Sequence, residues 1–306
     1  MKHTLKVTIA LVLFFFMAQF TGLLVINHYI DHKKTAETQI VSYKPLPYRF
    51  ERPEVKNKSN SFIYITIAVL IGTISVLLLI RLNKPFIWRF WFFATVWLTL
   101  SIAFAAFVNN VVAGILALII SILRLYKPNV IIQNLSEIFI YGGLAAIFVP
   151  TVNLFAAFML LIIISIYDFV AVFKTKHMVT LAKFQTKSNI FAGLLIPYEH
   201  GKISVKTIHT PKSEIKKESR GQKQSVAVLG GGDIGFTLIF AGVVMQDLML
   251  KEAVFTGFLK ALIIPVFVSL ALLVLLLKGK QNKFYPAMPI LSAGCFIGYL
   301  VVLIVG

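Results

Sequence analysis

Three carboxylate side chains lie inside long apolar runs of this sequence: Glu137, Asp168 and Asp233. A carboxylate is costly in hydrocarbon, so such a residue usually faces a water-filled cavity and carries a function. Asp168 lies about five residues before the end of one run, and Asp233 about seven residues after the start of the next. At 1.5 Å per helical residue these depths are roughly 8 and 11 Å from the same end of antiparallel neighbours. We therefore expect the carboxyl groups of Asp168 and Asp233 to meet.

Two adjacent carboxyl groups in a low-dielectric site have a defined chemistry. They share one proton, so that one acts as general base on a water molecule and the other as general acid. This is how an aspartyl protease hydrolyses a peptide bond, and it requires no metal and no organic cofactor. The alternative is a proton- or ion-coupled transporter that uses the same intramembrane acids, and position alone does not separate the two.

Two further motifs accompany the acids. Gly230-Gly231-Gly232 directly precedes Asp233, and Pro286-Ala287-Met288-Pro289 begins the last apolar run. Glycine costs about 1 kcal/mol in a helix interior, so a triplet indicates close backbone approach, local unwinding or a helix-packing seam. Two prolines three residues apart favour an extended turn, although proline is also common at helix starts.

Taken together, these motifs resemble those of a known family. Tyr167-Asp168, Gly230-x-Gly232-Asp233 and the Pro-Ala-x-Pro turn are similar to the three signatures of the GxGD intramembrane aspartyl proteases, the presenilin and signal peptide peptidase family. Their order and their positions on the sixth, seventh and ninth apolar runs match the family's nine-helix plan, and the resemblance covers most of the chain. Met288 replaces the leucine of the family motif, which preserves side-chain bulk.

The resemblance implies a role for each motif residue. Asp168 and Asp233 would be the catalytic pair, with Tyr167 packed beside them. The remaining positions would admit the substrate backbone or shape the site: Gly230, Gly231, Gly232, Pro286, Ala287, Met288 and Pro289. The family further suggests that an extended segment pairs with the unwound substrate as an added strand, for which the candidates are Ile203–Thr207 and Ser225–Leu229. The expected partners are transmembrane-helix substrates and the lipid bilayer, and obligate partner subunits are not implied.

Other intramembrane proteases are disfavoured. A zinc enzyme of this kind needs a His-Glu-x-x-His string, which is missing from the sequence. A rhomboid-type serine protease needs a membrane-embedded histidine, whereas all six histidines lie at or beyond the ends of the apolar runs. The two remaining charges within the apolar runs have ordinary explanations, since Glu137 is expected to cap its helix or to face loop water, and Lys260 to reach outward or to meet Asp247.

The elements that must position these residues are membrane-spanning helices. The chain is 58% hydrophobic and only 14% charged, far from soluble domains at roughly 25% charged. A helix needs about 20 apolar residues to cross a bilayer. Nine runs fit and predict an all-α, polytopic membrane protein in one transmembrane domain: about 5–30, 62–80, 86–108, 111–123, 130–149, 151–173, 226–246, 253–277 and 286–305.

The distribution of charge predicts the orientation. The net charge of +18 comes from Lys and Arg residues between the apolar runs rather than from a basic domain, so nucleic acid is not an expected partner. Most of these cations fall on the side of the N-terminus, which is therefore predicted to be cytoplasmic, with the C-terminus external. Residues 31–60 would form an external loop and residues 174–224 a cytoplasmic loop of a protein in the cell membrane. This orientation favours the presenilin-like branch of the family.

Overall fold

The fold consists mainly of long apolar helices. A computed structural model describes residues 4–82, 85–127, 129–174, 191–197, 226–279 and 285–305. In these ranges, eight helical segments are long and apolar enough to cross a membrane, and a shorter apolar helix spans Asn110–Tyr126. The helices are α1 (Leu5–Tyr29), α2 (His32–Thr38), α3 (Ser61–Arg81), α4 (Pro85–Ala105), α5 (Asn110–Tyr126), α6 (Val130–Phe148), α7 (Leu154–Phe173), α8 (Gly231–Lys251), α9 (Val254–Ala261), α10 (Ile263–Lys278) and α11 (Met288–Val305). This all-α membrane architecture agrees with the sequence-based prediction.

Asparagine residues define where three of the helices begin. The side chains of Asn109, Asn129 and Asn153 each accept a hydrogen bond from a backbone N–H in the first turn of α5, α6 and α7. Such caps satisfy donors that have no partner within the helix. The three caps therefore fix where α5, α6 and α7 start.

The predicted eighth span is divided into two helices. Helix α9 ends at Ala261 and α10 begins at Ile263, with Leu262 between them. Pro265 explains the break, because proline has no N–H to donate to the carbonyl oxygen of Ala261 and its ring crowds that carbonyl. The two helices together form one apolar segment, Val254–Lys278, which is long enough to cross a membrane.

Helix α1 packs against α6, α8 and α10. Its side chain Gln19 is buried and donates from Nε2 to the carbonyl oxygen of Ile234 at 2.9 Å and to Oγ1 of Thr237 at 2.8 Å. Both acceptors lie on α8, just after Asp233. Helix α1 therefore fixes the start of α8 by polar contacts as well as by packing.

A two-stranded antiparallel sheet precedes α8. Strand β1 (Gly193–Pro197) pairs with strand β2 (Val226–Gly230), with Leu194 opposite Leu229 and Ile196 opposite Ala227. The predicted extended segment Ser225–Leu229 corresponds to β2, whereas Ile203–Thr207 lies outside the described residues. Strand β1 was not predicted.

The start of the seventh span is a correction to the sequence-based prediction. The apolar run predicts a helix from Val226, but residues 226–230 are strand and the helix begins at Gly231. The β-branched and apolar residues of β2 pack on β1, and burial of such a segment gives the same apolar signal as a helix. Asp233 therefore lies at the start of its helix rather than two turns inside it.

Candidate active site

Asp168 contacts the proline turn directly. The backbone N–H of Met288 donates to Oδ2 of Asp168 at 3.1 Å. Met288 is the first residue of α11, so this N–H has no acceptor within its own helix and points out of the helix N-terminus. A helix N-terminus favours a negative charge. The Pro286–Pro289 motif thus presents a charge-stabilising donor to the first acid.

Asp233 occupies the first turn of α8, and its side chain turns back toward the glycine motif. A Cβ built on Gly230 would lie 3.3 Å from Oδ2 of Asp233, so glycine leaves space for the carboxyl group. The Asp233 carbonyl oxygen accepts a hydrogen bond from Oγ1 of Thr237 at 2.7 Å. Both Asp168 and Asp233 are half-buried.

An aromatic cluster sets the relative heights of the two acids. The rings of Phe158 on α7 and Phe240 on α8 meet at 5.0 Å between centroids, edge to face. Asp168 follows Phe158 by ten residues and Asp233 precedes Phe240 by seven, which are roughly 15 and 10 Å toward the same end of antiparallel helices. Helix α7 packs on both α8 and α11. The two acids therefore lie at similar levels of facing helices.

Phe296 and Tyr299 of α11 complete this aromatic cluster. Phe158 lies 5.1 Å from the Phe296 ring and 5.2 Å from the Tyr299 ring. The three helices that carry the motifs, α7, α8 and α11, all contribute rings to this cluster. The cluster therefore fixes the distances between these helices at its own level.

Tyr167 links α7 to a peripheral helix. Its hydroxyl group lies 3.0 Å from Oγ1 of Thr73 on α3. Helix α3 contributes few buried residues, so this hydrogen bond is a specific polar tie within an otherwise loosely packed contact. Tyr167 directly precedes Asp168 in sequence, which is why we expect it beside the acids. The structure adds its contact with α3.

The three glycines have different surroundings. Gly230 ends β2, and a Cβ on Gly231 would come to 2.5 Å from the hydroxyl oxygen of Tyr141. Gly232 is exposed, and a Cβ there would meet only ring atoms of Phe236 at 3.8 Å or more. Gly231 therefore makes room for another part of the protein, whereas the space beside Gly232 is open.

A buried polar cluster on α5 and α6 was missed by the sequence analysis. We call it the α6 polar cluster, and its members are Arg124, Gln133, Asn134, Glu137 and Tyr141, all of them buried. Glu137 accepts hydrogen bonds from Arg124, Tyr141 and Gln133. The i, i+4 spacing of Gln133, Glu137 and Tyr141 places them on one face of α6 and was the available signal.

The expectation for Glu137 was wrong, and so was one of the two alternatives for Lys260. Glu137 does not face loop water, because Arg124 reaches it from α5 and forms a buried ion pair. Lys260 does not meet Asp247; its Nζ lies 2.6 Å from Oε1 of Glu252, while Asp247 pairs with Lys251 at 2.7 Å. In both cases the partner is a charged residue of a neighbouring helix or turn. The sequence around Glu137 or Lys260 does not identify that partner.

Within the described ranges, no group of three or more His, Cys, Asp or Glu side chains is arranged to hold a metal ion.

The sequence matches the family described as signal-peptide peptidase, presenilin aspartyl protease over residues 43–306. No protein of curated function matches it significantly. The fold is similar to two crystal structures of a presenilin family intramembrane aspartate protease. The structure in space group C222 has a TM-score of 0.60 and 18% identity, with 98% of this chain and 99% of the other covered. The structure in space group P2 has a TM-score of 0.60 and 16% identity, with 97% of each chain covered.

Proposed function

This chain belongs to the signal-peptide peptidase and presenilin family of aspartyl proteases, and from that premise we propose that it cleaves single-span membrane helices with Asp168 and Asp233 as its catalytic pair. It is an aspartic endopeptidase of the intramembrane type and an integral membrane protein. The proposal concerns which residues act and on what substrate.

One contact supports this assignment most strongly. The hydrogen bond from Met288 N–H to Asp168 joins two of the three family motifs, although 120 residues separate them in sequence. The third motif enters through Asp233, which lies in the first turn of a helix packed on α7. A transporter needs wet intramembrane acids too, but it does not require this combination of a proline turn, a glycine motif and two acids.

The proposed reaction uses the two carboxyl groups in complementary protonation states. One carboxylate removes a proton from a water molecule while the water oxygen attacks the scissile carbonyl carbon. The other carboxyl group donates a proton to the carbonyl oxygen. The Met288 N–H favours the ionised form of Asp168.

A substrate helix must unwind before its peptide bonds can react, and its freed backbone groups need partners at membrane depth. Strand β2 can provide them. In an antiparallel pair, residues alternate between bonding across the ladder and pointing away from it. Leu195 directs its N–H and C=O to a side chain outside the sheet, so the opposite residue, Val228, directs its own groups to the outer edge of β2, which is unpaired within the described residues. Val228 is 39% exposed, and we assign substrate pairing to this edge.

The orientation of the chain determines which substrates can be used. With a cytoplasmic N-terminus, α7 runs inward and α8 outward, so the acids and the sheet lie toward the cytoplasmic side. Substrates would then be single-span proteins whose N-termini lie outside. The excess of Lys and Arg in the loops on this side supports that orientation.

The test is cleavage by purified protein in liposomes. Wild-type protein should cut a single-span substrate within or next to its transmembrane segment, as measured by mass spectrometry of the products. Asp168→Ala and Asp233→Ala should each abolish the products. Cleavage that persists in either variant would refute the assignment, and ion flux that persists in both variants would favour a transporter.

A further inference from the structure

The outer edge of strand β1 is occupied by a side chain instead of another strand. Nδ2 of Asn134 donates to the carbonyl oxygen of Leu195 at 2.7 Å, and the Leu195 N–H donates to Oδ1 of Asn134 at 2.9 Å. A carboxamide that makes both bonds reproduces the pairing of a neighbouring strand. Asn134 is 4% exposed, so this pairing is shielded from water.

Gln133 holds the beginning of the same strand. Its Nε2 lies 2.8 Å from the carbonyl oxygen of Phe191 and 2.9 Å from that of Gly193. Arg124 also donates to the Phe191 carbonyl, at 3.0 Å from Nη2. Adjacent residues of α6 and one residue of α5 thus fix the strand by its backbone, whatever the side chains of β1 are.

The ion pair of Arg124 and Glu137 holds these donors in place. Glu137 accepts from Arg124 and from Gln133, and Nη1 of Arg124 donates to Oγ of Ser136 at 2.9 Å. A buried charge is destabilising unless it is paired and hydrogen-bonded. None of these residues belongs to the family motifs. Because charged groups are costly to bury in a membrane protein, we expect this ion pair to serve a function.

The same cluster reaches the start of α8. The Tyr141 hydroxyl donates to Glu137 and lies against Gly231. The N–H of Gly231 donates to the carbonyl oxygen of Ala192 at 3.3 Å, just before β1. One rigid set of contacts therefore spans from α6 through both strands to the residue two positions before Asp233.

Gly193 shows how closely the parts fit. Its φ is +141°, a conformation that favours glycine, and a Cβ there would overlap the carbonyl oxygen of Leu229. Strand β1 therefore cannot slide along β2 without placing a larger residue in this position. The register between the strands and the position of β1 on α6 are fixed together.

From these contacts we infer that Asn134 and Gln133, held by Arg124 and Glu137, are positioning residues that fix the sheet relative to Asp233 and thereby determine which substrate bond is cut. The inference rests on the proposed function, since a substrate strand on β2 is presented to the acids in the register that β2 has. Asn134 has a second effect: by occupying the outer edge of β1, it leaves β2 as the free edge of the described sheet.

The experiment maps cleavage sites by mass spectrometry for wild type, Asn134→Leu and Asn134→Gln on one single-span substrate in liposomes. Leucine matches asparagine in size but makes neither bond to Leu195, so cutting should spread to neighbouring bonds, and the fraction at the main wild-type site should fall at least about threefold. Glutamine keeps the carboxamide and should restore much of the wild-type distribution. If Asn134→Leu does not accumulate as folded protein, Asn134→Ser, which can make only one of the two bonds, replaces it with the same expectation.

Gln246→Leu is the matched control. Gln246 is also a buried carboxamide bonded to backbone, with Nε2 at 3.2 Å from the carbonyl oxygen of Val152, but it lies near the opposite end of α8. Its loss can lower stability and rate, yet the cleavage sites should not move. Unchanged sites in the Asn134 variants, however slow the reaction, would overturn the inference. Failure of the proposed function looks different, because wild type would then make no products or the Asp168→Ala and Asp233→Ala variants would still make them.

Discussion

Gly231 illustrates how much depends on single residues in this protein. The family motif leaves its position unspecified, but here the Tyr141 hydroxyl occupies the volume that a side chain would need. The sequence predicted glycines directly before Asp233, with close backbone approach, local unwinding or a packing seam as their roles. It could not predict why the middle position is glycine, because Tyr141 lies 90 residues earlier and approaches only in the folded bundle.

Gly231→Ala should therefore destabilise the protein by about 1–3 kcal/mol, the usual range for an overpacked site, and reduce cleavage. Removing the hydroxyl in Gly231→Ala/Tyr141→Phe should recover part of both losses. Thermal unfolding in detergent and cleavage in liposomes are the measurements. Gly72→Ala is the control, because a Cβ there meets nothing within 4 Å and alanine in an open helix interior should stabilise slightly. Equal effects at Gly231 and Gly72 would contradict this account.

His32 makes the packing of the short helix α2 dependent on pH. Burial, and secondly the nearby Lys44 ammonium group, lower the pKa of His32. Since the pKa in the folded state lies below the unfolded value of about 6.5, the unfolded segment binds more protons between the two values, and stability falls as pH falls through that window. Hydrogen exchange of residues 31–44, corrected for intrinsic rates, should rise between pH 7.5 and 5.5. His32→Gln should remove this rise, and a rise that survives the substitution would exclude His32 as its cause.

At the scale of elements, helices were more predictable than strands. Long apolar runs predicted the membrane helices because each run contains its own signal. The sheet depends on pairing between Gly193–Pro197 and Val226–Gly230. No local pattern in β1 indicates that it pairs with a segment so distant in sequence. The error at Val226 has the same origin, since a short apolar segment is equally compatible with helix and strand until its partner is known.

The position of the proline turn depends on the packing of α11 against α10. A Cβ on Gly294 would come to 2.9 Å from Cβ of Ala271 and 3.1 Å from the carbonyl oxygen of Phe267. Gly294→Leu should therefore separate the two helices, lower the thermal midpoint and reduce cleavage at least about tenfold, because α11 carries the Met288 donor of Asp168. Ala293→Leu adds a similar volume at an exposed neighbouring position and should leave both quantities near wild type. A comparable loss in the two variants would indicate a general effect of bulk on α11.

At the scale of the whole molecule, orientation is the property that connects the fold to its substrates. The sequence predicted it from the distribution of Lys and Arg, because the length and apolarity of the helices alone do not distinguish the two sides of a membrane. The sole native cysteine, Cys295, is buried. Single introduced cysteines can therefore report the sides with little background.

Glu37→Cys lies on exposed α2, and Lys127→Cys lies in the exposed link after α5. With the N-terminus in the cytoplasm, a membrane-impermeant maleimide added to intact cells should label position 37 and not position 127. Permeabilised cells should show labelling at both positions. Labelling of position 127 alone in intact cells would invert the topology and, with it, the class of substrates.

The central claim is that Asp168 and Asp233 act as a pair, and it is tested most directly by Asp168→Asn and Asp233→Asn in the liposome cleavage assay. Asparagine keeps the size of the side chain, and at position 168 it keeps an oxygen that can accept from the Met288 N–H. The site should therefore remain assembled, while each position loses its ability to exchange a proton. We predict that each variant keeps the thermal midpoint near wild type and loses at least about a thousandfold in cleavage, since acid–base groups contribute on the order of 10²–10⁴ each. A folded variant at either position that retains a tenth or more of wild-type cleavage would contradict the account.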